Sequence, residues 1–176
     1  MKVFFVLFFM GAGSFSVHAK TMELKKDNHR IYIEEKSSWS LGKELFGMPF
    51  IYFSPLVSGQ RSNISFTDTG AEVQLDVNKL AADQKTFQEN KNQWAKKIGA
   101  RTIGFDPYQM YTNKHQHKIH SIGFQFQHEG KSYVEKSYYI ECRGKILFSK
   151  GLRLLQNEQH EKDFKDLIES LDCGGV

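Results

Sequence analysis

The chain has 176 residues, 25% of them charged, and its 24 Lys and Arg against 20 Asp and Glu give a formal charge of +4. The basic residues are scattered among acidic ones, so the pattern predicts neither nucleic acid nor an anionic membrane as partner. The length suits one hydrophobic core and leaves no room for a second domain.

Residues 1–19 read as a cleavable secretory signal. Lys2 precedes an unbroken apolar run from Val3 to Met10, small residues follow through Gly13, and the segment ends in Val17-His18-Ala19. The apolar run is about half of the roughly 20 residues a bilayer span needs, so no stable membrane span is expected after cleavage. No cysteine lies near the cleavage point to carry a lipid. The expected product is exported, to the periplasm or beyond the cell. Both cysteines, Cys142 and Cys173, would then meet an oxidising compartment, and a structural disulfide is the natural expectation, since no C-x-x-C spacing marks a redox pair.

Residues 20–28 are polar and read as a flexible lead-in. His29 to Glu35 alternates with period two, Ile31 and Ile33 on one face, as a strand should. Ser37-Ser38-Trp39 breaks it. Pro49 to Ser54 is a compact apolar run that predicts a buried strand, closed by Pro55 and a turn at Ser58-Gly59-Gln60. Ser62 to Thr67 alternates again, and Glu72 to Val77 reads as an extension of the sheet. From about Asn78 to Lys97 good helix formers run without Gly or Pro. Phe87, Trp94 and Ile98 fall along one helical face, with Gly99 as the stop, so Trp94 is expected to anchor the core. Strands follow at Thr102 to Met110, interrupted at Asp106-Pro107, then at Lys118 to His128, Lys131 to Cys142 and Lys145 to Leu155. Turns at Glu129-Gly130 and Arg143-Gly144 make these a meander. Phe164, Leu167, Ile168 and Leu171 then stand at the spacing of an amphipathic helix over about 157–171. A Cys142–Cys173 bridge would clamp that helix to the meander.

This order resembles the PsbP-like superfamily, which includes the Ran-binding import factor of yeast, the periplasmic DcrB proteins and the adaptor chaperones of type VI effectors. The resemblance runs through Ile31-Tyr32-Ile33 to Ser38-Trp39, Leu45-Phe46-Gly47, Ser54-Pro55, Arg61-Ser62-Asn63-Ile64 and the closing Phe164 to Leu171. It implies a single domain over 29–173 with a short tail at 174–176. The implied fold is α+β: a curved antiparallel sheet of about six to seven strands packed against a long middle helix and a C-terminal amphipathic helix. It also implies a binding, docking or assembly role.

Candidate chemistry is thin. His115 and His117 would share one side of a strand with His120 on the other, and with Asp106 two of them could hold zinc or copper. The stretch Thr112 to Lys118 is wholly polar, however, and reads as an exposed hairpin tip with surface histidines. Ser54, Ser62 and Ser137 sit in no nucleophile elbow, Glu34 and Glu35 alternate across a strand, and the sequon at Asn63 lies inside a strand. No catalytic residue and no cofactor is expected. Tyr108, Met110 and Tyr111, near the break at Pro107, form the expected binding surface, with Tyr52 and Tyr139 as alternatives. The sequence therefore reads as an exported, non-enzymatic binding or accessory protein of the bacterial envelope, whose partner would be an envelope or secreted protein. The alternative is a small-molecule or metal-binding periplasmic protein using the His115 to His128 segment.

Overall fold

The computed structural model describes residues 21–26, 29–68, 77–142 and 144–174. The signal segment at 1–19 lies outside these, as does the sheet extension read at 72–77 apart from Val77, which begins a helix.

Among the described residues, two antiparallel sheets and three helices make up the α+β fold. The larger sheet holds seven strands: β3 (Ser40–Leu45), β4 (Met48–Phe53), β5 (Asn63–Asp68), β6 (Arg101–Thr112), β7 (Lys118–His128), β8 (Lys131–Cys142) and β9 (Lys145–Leu154). Their spatial order is β3-β4-β5-β9-β8-β7-β6, which leaves β3 and β6 at the edges. β1 (Thr21–Lys26), β2 (His29–Glu34) and β10 (Asp172–Cys173) form the smaller sheet. Helices α1 (Val77–Ala82) and α2 (Gln84–Lys97) precede the meander and α3 (Glu158–Ser170) follows it.

Period-two alternation divides the larger sheet into two faces. On one, Phe50, Tyr52, Ile64, Phe66, Ile119, Tyr138, Ile140 and Leu147 join Phe164, Leu167, Ile168 and Leu171 of α3, and Leu24, Ile31 and Ile33 of the smaller sheet, in the main core. On the other, Phe124 and Phe126 meet α2 through Ala95 and Phe87. Lys91 ties α2 down by pairing with Glu135 of β8, its ammonium 5.6 Å from the Trp94 ring centre.

Three expectations change, and one strand that the sequence left unassigned is added. The lead-in at 20–28 is ordered over 21–26 as β1, because Leu24 is buried beside β2 and Met22 packs against the same core. Ser40–Leu45 is a strand although its residues are mostly exposed, since an edge strand needs only one paired neighbour. The helix read at 78–97 is two helices, because Asp83 leaves helical geometry and its carboxylate accepts the Thr86 N–H at 3.3 Å, capping a new start. Trp94 packs edge-on against Phe124 and Phe126 but stays 37% exposed, because α2 covers only part of that face.

α3 begins with Asn157, whose Oδ1 accepts the His160 N–H at 3.1 Å. His160 is buried, and its Nδ1 accepts from Asn157 Nδ2 at 2.8 Å and meets Ser62 Oγ at 2.7 Å, fastening the helix start to the strand beneath. Burial, only partly countered by Asp163, holds its pKa below the ordinary histidine value. A depressed pKa in the folded state contributes stability above about pH 6.5 that is lost as pH falls through the folded value. Melting curves between pH 7.5 and 5 should therefore show a steeper fall for the native chain than for His160→Gln. Parallel curves would mean that His160 titrates alike in both states.

Candidate functional site

His115, His117, His120, Met110 and Tyr111 lie at one end of the larger sheet, where the β6–β7 hairpin, the end of β8 and the end of α3 meet. Asn113 organises this end. It is 2% exposed; its Nδ2 donates to the carbonyls of Ile168 (3.2 Å) and Leu171 (2.8 Å), and its Oδ1 accepts from the backbone N–H of His115 and His117. The turn expected as an exposed hairpin tip is thus docked on the last turn of α3, because the α3 carbonyls need donors that Asn113 supplies. Lys114, His115 and Gln116 remain exposed.

His117 and His115 do share one side, facing Asp172: His117 Nε2 lies 2.9 Å from Asp172 Oδ1, and His115 Nδ1 lies 4.0 Å from Oδ2. The hydrogen bond to His117 holds the Asp172 carboxyl below its ordinary value, against the upward push of burial. Asp106 stands elsewhere, accepting from Gln125 Nε2 at 2.7 Å. Among the described residues no three His, Cys, Asp or Glu side chains gather as they would around a metal ion. His128 lies at the far end of β7, eight residues and roughly 27 Å of extended strand from His120.

His120 was the histidine that sequence gave no separate role. It is 3% exposed, with Nδ1 2.7 Å from the Tyr108 hydroxyl and Nε2 2.7 Å from Glu141 Oε1. Tyr108 reaches it through the irregularity between Asp106 and Gln109, where Pro107 and Tyr108 together oppose the single residue Ile122 and shift the register of β6 against β7 by one. Nε2–H donates to the Glu141 carboxylate, which can only accept, and Nδ1 shares a hydrogen bond with the Tyr108 phenol. Both ring nitrogens are thereby occupied. Burial, then the charge of Glu141, raises the Tyr108 pKa, so the phenol keeps its proton at neutral pH. These contacts tie β6, β7 and β8 together through their side chains.

The expected binding surface divides. Met110 is 60% exposed and Tyr108 partly so, both on the outermost strand. Tyr111 turns inward, because it pairs with Ile119 and packs against the main core; burial, then Glu169, pushes its pKa up to about 12. Of the alternatives, Tyr52 is a core residue whose hydroxyl lies 3.2 Å from Met22 Sδ, and Tyr139 is half-buried against Phe148. Ile103 adds 44% exposure farther along β6.

Cys142 and Cys173 are joined as a disulfide, with Cα atoms 5.6 Å apart. Cys173 lies in β10, paired with Ile31 of β2, so the bridge links the two sheets as well as fastening the chain beyond α3.

As a sequence, the chain matches no protein-family model and none of the curated proteins. As a fold it is similar to cyanobacterial PsbP (CyanoP) from Synechocystis, with a TM-score of 0.56 and 9% identity over 94% of this chain and 99% of that one. It is also similar to LpqN, involved in cell envelope biogenesis of Mycobacterium tuberculosis, with a TM-score of 0.55 and 12% identity over 90% and 92% of the two chains. PA94 of Pseudomonas aeruginosa, a protein of unknown function, matches with a TM-score of 0.49 and 16% identity over 89% of this chain and 99% of that one. The first two likenesses show that the fold is PsbP-like.

Proposed function

We propose that this chain is an exported, non-enzymatic binding or accessory protein of the bacterial envelope, which meets a protein partner along the outer strand β6. The observation that carries the reading is the outward display of Met110 and Ile103 on a strand with a neighbour on one side only, among the described residues. Pro107 and the irregularities at Thr102/Gly104 and Asp106/Gln109 support a side-chain contact there over continuous strand pairing, since they interrupt the ladder a partner strand would need. The disulfide supports export, because such bridges persist in oxidising compartments. LpqN, a structural neighbour involved in cell envelope biogenesis, is consistent with the address. Among the described residues no helix is long and apolar enough to cross a membrane.

Replacing Met110 and Ile103 together by Ser should leave the melting temperature within about 2 °C, as surface changes do, and abolish recovery of the partner from envelope fractions. Unchanged recovery by the folded variant would place the contact elsewhere.

A further inference from the structure

A second polar site lies on the opposite face of the sheet from His120, in a small cleft between the strands and α3. Asp106, Val134, Lys136, Tyr138, Arg153, Glu161, Phe164 and Lys165 line it. We propose that this cleft binds a small monocarboxylate, held by the Lys136 ammonium and the Tyr138 hydroxyl.

The cleft follows from cross-strand register. Lys136 is flanked by Gly123 on β7 and Gly151 on β9, and Tyr138 by Ser121 and Ser149. Small residues on both sides leave these two long side chains standing in a depression of the sheet. Gly123 admits the Asp106 carboxylate over the strand, and Gly151 admits the Phe164 ring, which a Cβ would meet at 2.7 Å. These two groups wall the depression.

Most of its charges are already spoken for. Arg153 donates to the carbonyls of Leu154 (3.0 Å) and Leu155 (2.9 Å) and to Glu161 Oε2 (2.7 Å). Lys165 lies 3.6 Å from Glu161 Oε1, and Asp106 accepts from Gln125. Lys136 and Tyr138 are different. Lys136 is half-buried and has no hydrogen bond or ion pair among the described residues; Tyr138 is 3% exposed, and its hydroxyl has no partner there either. Neither polar end is sealed from solvent, so both open into the cleft, where an anion would find two donors without protein partners. Burial lowers the Lys136 pKa and outweighs the charge of Asp106, as expected for a cation short of a partner.

The surroundings select the anion. Asp106 and Glu161 in the lining oppose a second negative charge, which disfavours a phosphate dianion. Val134 and Phe164 offer an apolar wall to the carbon end of the ligand. One ammonium, one hydroxyl and a short apolar wall match a carboxylate on a short alkyl group.

Titration of the folded chain with acetate, followed through the Val134 methyl and Lys136 ε-methylene NMR signals, tests this. A saturable response with Kd of roughly 1–10 mM is expected, together with a rise in the Lys136 pKa on saturation. Lys136→Met, which keeps the side-chain length, should abolish the Val134 response, and Tyr138→Phe should weaken it about threefold or more. Sodium chloride at equal ionic strength should produce neither effect. A response linear in acetate, one matched by chloride or exceeded by phosphate, or one retained in Lys136→Met would overturn the proposal.

Discussion

Reducing the Cys142–Cys173 bridge, or replacing both cysteines by Ser, is expected to cost about 3 to 4 kcal/mol on the chain-entropy account of a loop this long. The two residues are 31 positions apart, and the loop between them contains β9 and α3. Released, the ends of that loop become free in the unfolded chain. In the native state β10 would hold to β2 through only the Asp172–Tyr32 and Cys173–Ile31 pairs. For a domain of this size the loss corresponds to a fall in melting temperature of roughly 8–15 °C. Thermal unfolding with and without reductant measures it, and a shift under 2 °C would show that the bridge does not constrain the chain. The result also bears on location, since a domain that depends on the bridge must fold where disulfides persist.

Phe164→Ala should destabilise by about 3 to 5 kcal/mol, the range for removing a buried aromatic ring. Phe164 is 3% exposed, lies over Gly151 and meets the Trp39 ring edge-on with centres 5.7 Å apart. The ring therefore joins α3, the sheet and the turn after β2 in one contact. The converse change tests the same geometry. Gly151→Ala would place a methyl group 2.7 Å from the ring and should cost about 1 to 3 kcal/mol by overpacking. Urea midpoints of both variants measure the pair; if each moved by less than the equivalent of 1 kcal/mol, α3 would not be seated as described.

Strong alternation and helical spacing made most of this fold readable in the sequence. Ile31 and Ile33, Ile64 and Phe66, Phe124 and Phe126, and the series Phe164 to Leu171 each belong to an element whose buried face repeats at its own period. What escaped depends on partners distant in the chain. β3 has little buried surface and exists because β4 pairs with it. β1 sits in a polar stretch whose one buried residue, Leu24, looks incidental until β2 is placed beside it. The break at Asp83 turns on a side-chain cap that competes with good helix formers on either side.

The candidate site was less readable for the same reason. Tyr108 stood out for its aromatic character beside Pro107, but its contact with His120 requires the register shift that Pro107 helps to make. Glu141 is one of many strand carboxylates until β8 is laid against β7, where it comes within 2.7 Å of His120. Lys136 and Tyr138 carried no local signal. Gly123 and Gly151 were the available clue, because two glycines in strands can mark a close approach from another element, but only the register shows that both flank one lysine.

The central claim, that β6 presents a contact surface for an envelope protein, is tested most directly by site-specific photo-crosslinking in the native envelope. A crosslinker at Met110 on β6 would be compared with one at Lys162 on the outward side of α3. The account predicts one discrete adduct from Met110, absent from Lys162 and competed away by unlabelled native protein. No adduct at Met110, or the same adducts from both positions, would contradict it.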